Sequence, residues 1–326
     1  MTACEVLSVP PPYSGPEPKG GEADTSAETA VGCGPRSSAR LWPALIGNPT
    51  SHDDSAADQA SVLARVRADA VAERVHRIVA MALRPVQVNM KALDAPAVGR
   101  FWAEALGWSA YSPGVTTYVG PVGGLVWPDP VAVCVDVVPV PEPRTTAKNR
   151  MHLDLATTSA AHQAELVARL QALGATPAHV GQGKVPWTVL ADPEGNEFCV
   201  LEPREIYRDT GPIAAVVVDC ADPRAMARFW GQAMDWILHE VTDDLAVLRS
   251  ARGVGPYLEF LRTPGGKTVP DRVHLDLLPY PGDDQEAEVT RLRALGATDI
   301  DLGQGDVPWT CLTDPEGHEF CVLAPS

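Results

Sequence analysis

The sequence predicts an α+β fold that is built twice in tandem. The main observation is that the segment Val185–Pro203, VPWTVLADPEGNEFCVLEP, returns almost unchanged as Val307–Pro325, VPWTCLTDPEGHEFCVLAP. Repetition of such a block indicates that the whole folding unit has been duplicated. In each copy two apolar runs flank Asp-Pro-Glu-Gly, in which proline and glycine suit a tight turn. Each block is therefore predicted to be a β-hairpin.

The start of each half is predicted to be a strand followed by a helix. Val86–Asp94 alternates apolar and polar residues, as a half-buried strand does. Asp94 is a suitable N-cap and Pro96 suits the first turn of a helix, which is predicted over Ala95–Leu106. The same pattern returns in the second half as the strand Ala215–Asp219 and a helix that follows it.

Further landmarks recur in the same order in both halves. Each half contains Arg-Phe-Trp, then His-Leu-Asp-Leu, then a second helix that ends in Leu-Gly-Ala-Thr with glycine at its C-cap. Each half therefore reads as strand–helix–strands, followed again by strand–helix–strands. The predicted organisation is a disordered or leader segment at 1–83 with a helix at about 55–83, a first domain at 84–203, a linker at 204–212 and a second domain at 213–326.

The leader is open to two interpretations. Residues 1 to about 53 are rich in Pro, Gly, Ser, Ala and Thr, a composition that does not bury enough apolar surface to offset the entropy of ordering. Residues 55–83 have helical spacing, which is typical of an accessory helix. The alternative is that Met81 is the natural start, because the first strand follows it almost at once.

The composition excludes several classes of function. A net charge of −16 argues against a nucleic-acid partner, since phosphate backbones are bound by clustered Lys and Arg. No apolar run approaches the roughly 20 residues that cross a bilayer, and the N-terminus lacks a secretory signal pattern. The 7 cysteines include no Cys-x-x-Cys, so neither a disulfide framework nor a structural zinc site is indicated. A cytoplasmic protein is the expectation.

These motifs together resemble the vicinal oxygen chelate superfamily in its glyoxalase-like branch. The resemblance rests on Asp-x(6)-Phe-Trp, His-Leu-Asp-Leu and Asp-Pro-Glu-Gly-x-Glu-Phe-Cys-Val-Leu, found in this order twice over residues 84–326. It implies tandem glyoxalase/bleomycin-resistance-like domains, each made of two βαβββ modules that form a curved mixed sheet around a cleft. It also implies one cleft per half, in a monomer with internal pseudo-symmetry or in a homodimer.

The resemblance further implies positions for a divalent metal. The family places one ligand on the first and one on the last strand of each module. In the first half these positions fall on Gln87, Asp136, His152 and Cys199, and in the second half on Ala215, Glu259, His274 and Cys321. Ala215 has no ligand atom, and the two cysteines replace the glutamate that completes a shell of hard oxygen ligands. The cofactor is therefore either a divalent metal (Mg, Mn, Fe, Ni or Zn) held by His152, Asp136, His274 and Glu259, or none.

Strand periodicity predicts a polar cleft lining. His152 and Asp154 share one face of their strand, while Leu153 and Leu155 share the other. The candidate ligand-binding residues are Gln87, Asn89, Asp154, Trp187, Asp219, Asp276 and Trp309, and the candidate general bases are Glu197 and Glu319. Structural interpretations stand beside these: the histidines as hydrogen-bonded strand residues, Trp102 and Trp230 as core, and Asp-Pro-Glu-Gly as turn chemistry alone.

Three hypotheses of function follow. The first is a lyase, isomerase or oxygenase in which a metal polarises adjacent oxygen atoms of a small substrate. The second is a metal-free protein that sequesters an aromatic or hydrophobic compound, as bleomycin-resistance proteins of this superfamily do. The third is that one half is a structural partner of the other. Kinship of fold does not choose among them, because one scaffold hosts unrelated chemistries.

Overall fold

The structure is a computed structural model that describes residues 82–123 and 133–325. The described residues all belong to one compact unit. The predicted leader up to residue 81, its helix and the role of Met81 lie outside the described residues. Within the described ranges, every helix is too short or too polar to span a bilayer.

Each half forms its strands and helices in the predicted order. The first half contains β1 (Leu83–Ala92), α1 (Ala95–Leu106), β2 (Ser109–Tyr111), β3 (Thr117–Gly120), β4 (Cys134–Pro139), β5 (Met151–Leu155), α2 (Ala160–Ala172), β6 (Thr176–Pro177), β7 (Thr188–Ala191) and β8 (Glu197–Val200). A short 3-10 turn at Glu205–Tyr207 follows. The second half contains β9 (Ile213–Cys220), α3 (Pro223–Ala233), β10 (Trp236–Val241), β11 (Leu245–Ser250), β12 (Tyr257–Arg262), β13 (Val273–Pro279), α4 (Gln285–Leu295), β14 (Thr298–Asp299), β15 (Thr310–Thr313) and β16 (Glu319–Val322).

The strands form two open eight-stranded sheets, and each sheet draws on both halves. The first sheet has the order β14-β15-β16-β13-β1-β4-β3-β2, and the second has the order β10-β11-β12-β9-β5-β8-β7-β6. The first module of one half therefore pairs with the second module of the other half. The expectation of one cleft per half is wrong, because each sheet face is shared between the halves.

The junction in each sheet is a long antiparallel strand pair. In the first sheet β1 runs against β13, with Asn89 opposite His274, and in the second sheet β5 runs against β9, with His152 opposite Val217. On their other sides β1 and β9 pair in parallel with the last strand of their own module. Residues directly opposite one another share a sheet face, so this register decides which predicted site residues meet.

The helices pack on one face of the sheets and form the main core there. Trp102 of α1 makes an edge contact with Phe198 of β8, with ring centroids 5.1 Å apart, although α1 packs mainly on β3 and β4 of the other sheet. Trp230 of α3 makes the equivalent contact with Phe320 at 5.2 Å. Both tryptophans are buried, which agrees with their interpretation as core residues rather than ligand platforms.

The Asp-Pro-Glu-Gly segment does more than turn the chain. Asp192 accepts hydrogen bonds from the backbone N–H groups of Glu194 and Asn196 and from Nε1 of Trp102. The carboxylate of Glu194 accepts the N–H groups of Leu93 and Asp94 at 2.8 and 2.7 Å, at the start of α1. The hairpin of the second module is thus hydrogen-bonded to the helix of the first module. The Asp-Pro-Glu-Gly motif and the Asp-x(6)-Phe-Trp motif are in direct contact.

The second half repeats this arrangement. Asp314 accepts from Nε1 of Trp230 at 3.2 Å, and Glu316 accepts the N–H groups of Ala221 and Asp222. The interpretation of the motif as turn chemistry alone is therefore incomplete in both halves.

Candidate functional sites

The face of each sheet opposite the main core carries the predicted polar residues. On β5 the side chains of Leu153 and Leu155 belong to the main core, so His152 and Asp154 point to the other face. The same alternation on β13 sends Leu275 and Leu277 to the core. Two separate sites result, one on each sheet.

The first site, which we call the His274 site, combines residues of both halves. It consists of Gln87, Asn89, Cys134, Asp136, His274, Asp276, Cys311 and Cys321. Asp276 Oδ2 accepts hydrogen bonds from Gln87 Nε2 at 2.8 Å and from Asn89 Nδ2 at 3.3 Å. The ring of His274 lies next to it, with Nε2 3.2 Å from Asp276 Oδ1 and 3.7 Å from Cys321 Sγ. The predicted ligand positions Gln87 and Asp136 therefore meet His274, not the His152 of their own half.

The charge at this site is negative and buried. Asp136 and Asp276 are 3% and 2% exposed. Burial raises the pKa of Asp136 well above its usual value, and the nearby charge of Asp276 raises it further. A cation held nearby would stabilise the charged form of Asp136, which burial and the neighbouring carboxylate oppose.

Thiols line the same site. Cys321 is buried, and its Sγ is 3.6 Å from Sγ of Cys311, which is half-buried. The hydrogen bond with Cys311, together with burial and the charge of Asp276, raises the pKa of Cys321 well above its usual value. The same hydrogen bond and the charge of His274 lower the pKa of Cys311. Cys134 lies on the opposite side, with Sγ 3.8 Å from Asp136 Oδ1.

The second site, the His152 site, is the pseudo-symmetric counterpart on the other sheet. It consists of His152, Asp154, Cys199, Ala215, Val217, Tyr257 and Glu259. His152 Nε2 is 3.4 Å from Asp154 Oδ1, and the charges of Asp154 and His152 both act on Glu259. The sequence prediction grouped Asp136 with His152 and Glu259 with His274 by half; this grouping is wrong because the modules pair across the halves.

The linker between the halves covers the His152 site. Tyr207, 7% exposed, donates a hydrogen bond from its hydroxyl to Glu259 Oε1 at 2.9 Å and contacts the ring of Tyr257. Arg204 lies 5.7 Å from the ring centroids of both Trp187 and Tyr207. Together with Val189, Cys199, Ala215, Val217 and Val247, these aromatic side chains make a second apolar cluster. The linker thus contributes the side chain of Tyr207 to this site.

Other predicted site residues lie in ion pairs at the strand ends. Glu197 pairs with Arg144 and accepts the N–H of Asn149, while Glu319 pairs with Lys267. Asp219 pairs with Lys148 and accepts from Thr263 at 3.0 Å. These three carboxylates, predicted as general bases or ligand contacts, already have cationic partners. Of the hairpin tryptophans, Trp187 lies by Arg204, and Trp309 donates to Gln304 at 2.9 Å.

Sequence reasoning missed Cys311 and Tyr207. Cys311 had a usable signal, because a hairpin that turns at Asp-Pro-Glu-Gly places Cys311 opposite Cys321. Tyr207 had none, since its linker carries no periodic pattern. A cavity of about 700 Å³ lies on the helix side, lined by residues such as Arg100, Glu104 and Trp108, and neither His274 nor His152 lines it.

The His274 site fits a metal ion of the kind that thiolate, imidazole and carboxylate ligands hold. One ligand atom each of His274, Asp276 and Cys321 lies within 4.8 Å of the others, and the same holds for His152, Asp154 and Cys199 of the His152 site. Bonds of about 2.0–2.3 Å in a tetrahedral zinc site place neighbouring ligand atoms roughly 3.3–3.8 Å apart, close to the 3.2 and 3.7 Å measured from His274 Nε2. Asp276 Oδ1 and His274 Nδ1 are buried and have no hydrogen-bond partner among the described residues.

Comparisons with known proteins agree with the duplicated architecture. A family profile described as "Glyoxalase-like domain" matches residues 87–201 and 215–323. The structure of glyoxalase I from Zea mays is similar with a TM-score of 0.50 and 15% identity, over 74% of this chain and 92% of that chain. A glyoxalase/bleomycin resistance protein/dioxygenase family enzyme from Burkholderia phytofirmans PsJN matches with a TM-score of 0.26 at 18% identity, over 35% of this chain and 94% of that chain. No curated protein matches in sequence.

Proposed function

Because the chain belongs to the glyoxalase-like domain family, we propose that it acts on a small molecule through a divalent metal bound at the His274 site. The observation that carries the proposal is the convergence of an imidazole, a carboxylate and a thiol at ligand-like spacing. The buried Asp276 Oδ1 supports it, because this atom lies 3.2 Å from His274 Nε2 but makes no hydrogen bond among the described residues. A buried polar atom of this kind is costly unless something binds to it.

The metal in this proposal is zinc or a metal of similar preference. His274, Asp276 and Cys321 form a mixed ligand set that suits zinc better than Mg²⁺, which prefers oxygen ligands alone. Gln87 and Asn89 orient Asp276 through their amide groups and so act as outer partners of the ligand set. Such a metal would act as a Lewis acid toward adjacent oxygen atoms of a substrate.

Asp136 is the proposed acid/base group in a reaction of lyase, isomerase or oxygenase type. It lies on the strand beside Asn89, in the same site, and burial together with the charge of Asp276 raises its pKa, a direction that suits a proton donor. Glu319 and Glu197 remain predictions as general bases, and each would first have to leave its cationic partner.

The His152 site is proposed to be structural. His152, Asp154 and Cys199 have ligand-like spacing here as well, but the first-strand position is Ala215, which offers no polar group, and the carboxylate of Glu259 accepts a hydrogen bond from Tyr207 of the linker. The sequence suggested that one half serves as a structural partner of the other. Because both sheets contain strands of both halves, we now assign the structural role to the sheet that carries the His152 site.

Metal analysis of purified protein tests the proposal, with the two histidines as a matched pair. We expect zinc in the wild-type protein and in His152→Ala, and its loss in His274→Ala. Asn89→Ala should weaken zinc binding by about 10- to 100-fold, as loss of an outer partner does elsewhere. Equal zinc loss in both histidine variants would contradict the assignment to one site. Wild-type protein without metal affinity that binds an aromatic compound tightly would favour the sequestering function instead.

A further inference from the structure

Cys311 and Cys321 form a thiol pair at the edge of the His274 site. They lie directly opposite each other on β15 and β16, with their sulfur atoms 3.6 Å apart. We propose that this pair is a site of reversible oxidation, at which a peroxide converts the two thiols to a disulfide. The consequence for the metal, though not the oxidation itself, rests on the proposed function.

The backbone already has the geometry that a disulfide requires. Directly opposite residues of an antiparallel pair have Cα atoms about 4.5 or 5.5 Å apart, and disulfides span Cα distances of roughly 4.4–6.8 Å. The two sulfur atoms are in van der Waals contact, so side-chain rotation brings them to bonding distance. The bond would close the Asp-Pro-Glu-Gly hairpin between the two cysteines without changing its register.

The two thiols have different access to an oxidant. Cys311 is half-buried and Cys321 is 3% exposed. The thiolate of Cys311 therefore attacks the peroxide, whose O–O bond breaks to give a sulfenic acid and an alcohol or water. The Cys321 thiol then attacks that sulfur, and the departing hydroxide takes up the thiol proton as water. The thiols lose two electrons and two protons, and the peroxide is reduced.

Oxidation removes a ligand from the His274 site. Sγ of Cys321 lies 3.7 Å from Nε2 of His274, and only a thiolate binds zinc strongly. A disulfide sulfur is not a thiolate, so the oxidised site retains His274 and Asp276 without the third ligand. The proposed metal site is thereby controlled by the oxidation state of one hairpin.

The first half provides a natural comparison. There the residue opposite Cys199 is Val189, so the His152 site has the buried thiol without a partner. Cys311→Val therefore gives the second half the pair that the first half has. Because valine is found at this position in the other hairpin, the variant is expected to fold.

Peptide mapping of the full-length protein tests the oxidation site. The protein is treated with hydrogen peroxide, its free thiols are alkylated, and the digest is analysed by mass spectrometry with and without dithiothreitol. We expect a Cys311–Cys321 cross-link that dithiothreitol reverses, with Cys199 alkylated throughout. Cys311→Val should show no cross-link. Full alkylation of both cysteines after peroxide, or irreversible oxidation of Cys311 to its sulfinic acid, would overturn the proposal.

Competition with a chelator then tests the consequence. Oxidised wild-type protein should bind zinc at least about tenfold more weakly than reduced protein, with recovery after dithiothreitol, as loss of a ligand-site contact implies. Peroxide should leave zinc binding by Cys311→Val unchanged. A cross-link with unaltered zinc affinity would overturn the control of the metal site. Reduced protein that binds no zinc would overturn the proposed function, while the peptide map still decides the oxidation site.

Discussion

At the residue scale the two halves differ most informatively after the Asp-Pro-Glu-Gly turn. Asn196 of the first half accepts a hydrogen bond from Asn149, whereas His318 of the second half faces Asp271, with Nδ1 3.5 Å from Oδ2. Burial opposes the charged form of His318, but the nearby carboxylates of Asp271 and Asp314 outweigh it and raise the pKa of His318. The first half therefore has a neutral pair of amides where the second half has a histidine beside a carboxylate.

This pair predicts a pH dependence of stability. A histidine whose pKa is higher in the folded state contributes stability that is complete below its unfolded pKa of about 6.5 and is lost as the pH rises through the folded pKa. We expect the free energy of unfolding of the wild-type protein to fall across this window. His318→Asn, which copies the first half, should not show the fall. Urea denaturation at a series of pH values from 6 to about 9 measures both.

Parallel curves for the two proteins would contradict the predicted ion pair.

The dependence of stability on acidic pH has a separate cause, which is Asp271. Burial alone would raise the pKa of Asp271. The interactions with His318 and Glu319 and the charge of Lys267 outweigh burial and lower this pKa. The stability from Asp271 is therefore present at neutral pH and lost as the pH falls through its depressed folded pKa.

Single residues were predictable where the chemistry is local. Asp94 caps α1 as expected, with Oδ1 accepting from the N–H of Ala97 at 2.9 Å, and α1 has the predicted bounds. The partners of Glu197 and Asp219 were not predictable, because Arg144 and Lys148 lie on an irregular loop whose path no sequence period describes.

At the scale of elements, the hairpin and the linker both make hydrogen bonds that connect different modules. The sequence predicted the tight turn but not that Glu194 would hold the start of α1, since this contact joins segments about a hundred positions apart in the chain. Residues 204–212 were predicted as a linker, without a role for any of their side chains. Instead its 3-10 turn places Tyr207 in the His152 site, where the phenol donates to the half-buried carboxylate of Glu259.

Removal of that hydroxyl should be costly at neutral pH. Tyr207→Phe leaves the half-buried Glu259 without its donor, and the lost partner of such a carboxylate costs about 1 kcal/mol or more. Burial and the charge of Asp154 already raise the pKa of Glu259, although the hydrogen bond from Tyr207 opposes this rise. We therefore expect the free energy of unfolding of Tyr207→Phe to fall relative to wild type at pH 7, and less so near pH 5, where Glu259 is more readily protonated.

Tyr111→Phe is the control for this substitution, because Tyr111 is 54% exposed and loses a hydroxyl of the same kind. Equal losses for the two variants, measured by urea denaturation, would show that the hydroxyl of Tyr207 has no special role. Tyr207→Phe leaves the His274 site intact, so its zinc binding should equal that of the wild-type protein.

At the scale of the whole molecule, the duplication was predictable but the pairing of the copies was not. A repeated strand–helix–strand pattern buries the same apolar face whether a module pairs with its own half or with the other. The choice depends on strand order in space, which hydrophobic alternation does not encode. In the structure Asn89 lies opposite His274, and His152 lies opposite Val217. These cross-half strand pairs bring residues of both halves into each site.

Shared sheets predict that neither half is complete by itself. Without the second half, β1 loses β13 along a pairing that runs from Leu83 opposite Pro279 to Met90 opposite Val273, and an unpaired strand edge of this kind promotes association. Chain cleaved in the linker after Thr210, or the two parts produced together, should therefore remain one complex that binds zinc as the intact chain does. Either part produced alone should form a dimer with a copy of itself or aggregate. Size-exclusion chromatography with light scattering and circular dichroism distinguish these states, with the uncleaved chain as control. Two folded monomeric parts that do not associate would contradict the cross-half sheets, and with them the grouping of Gln87 and Asp136 with His274.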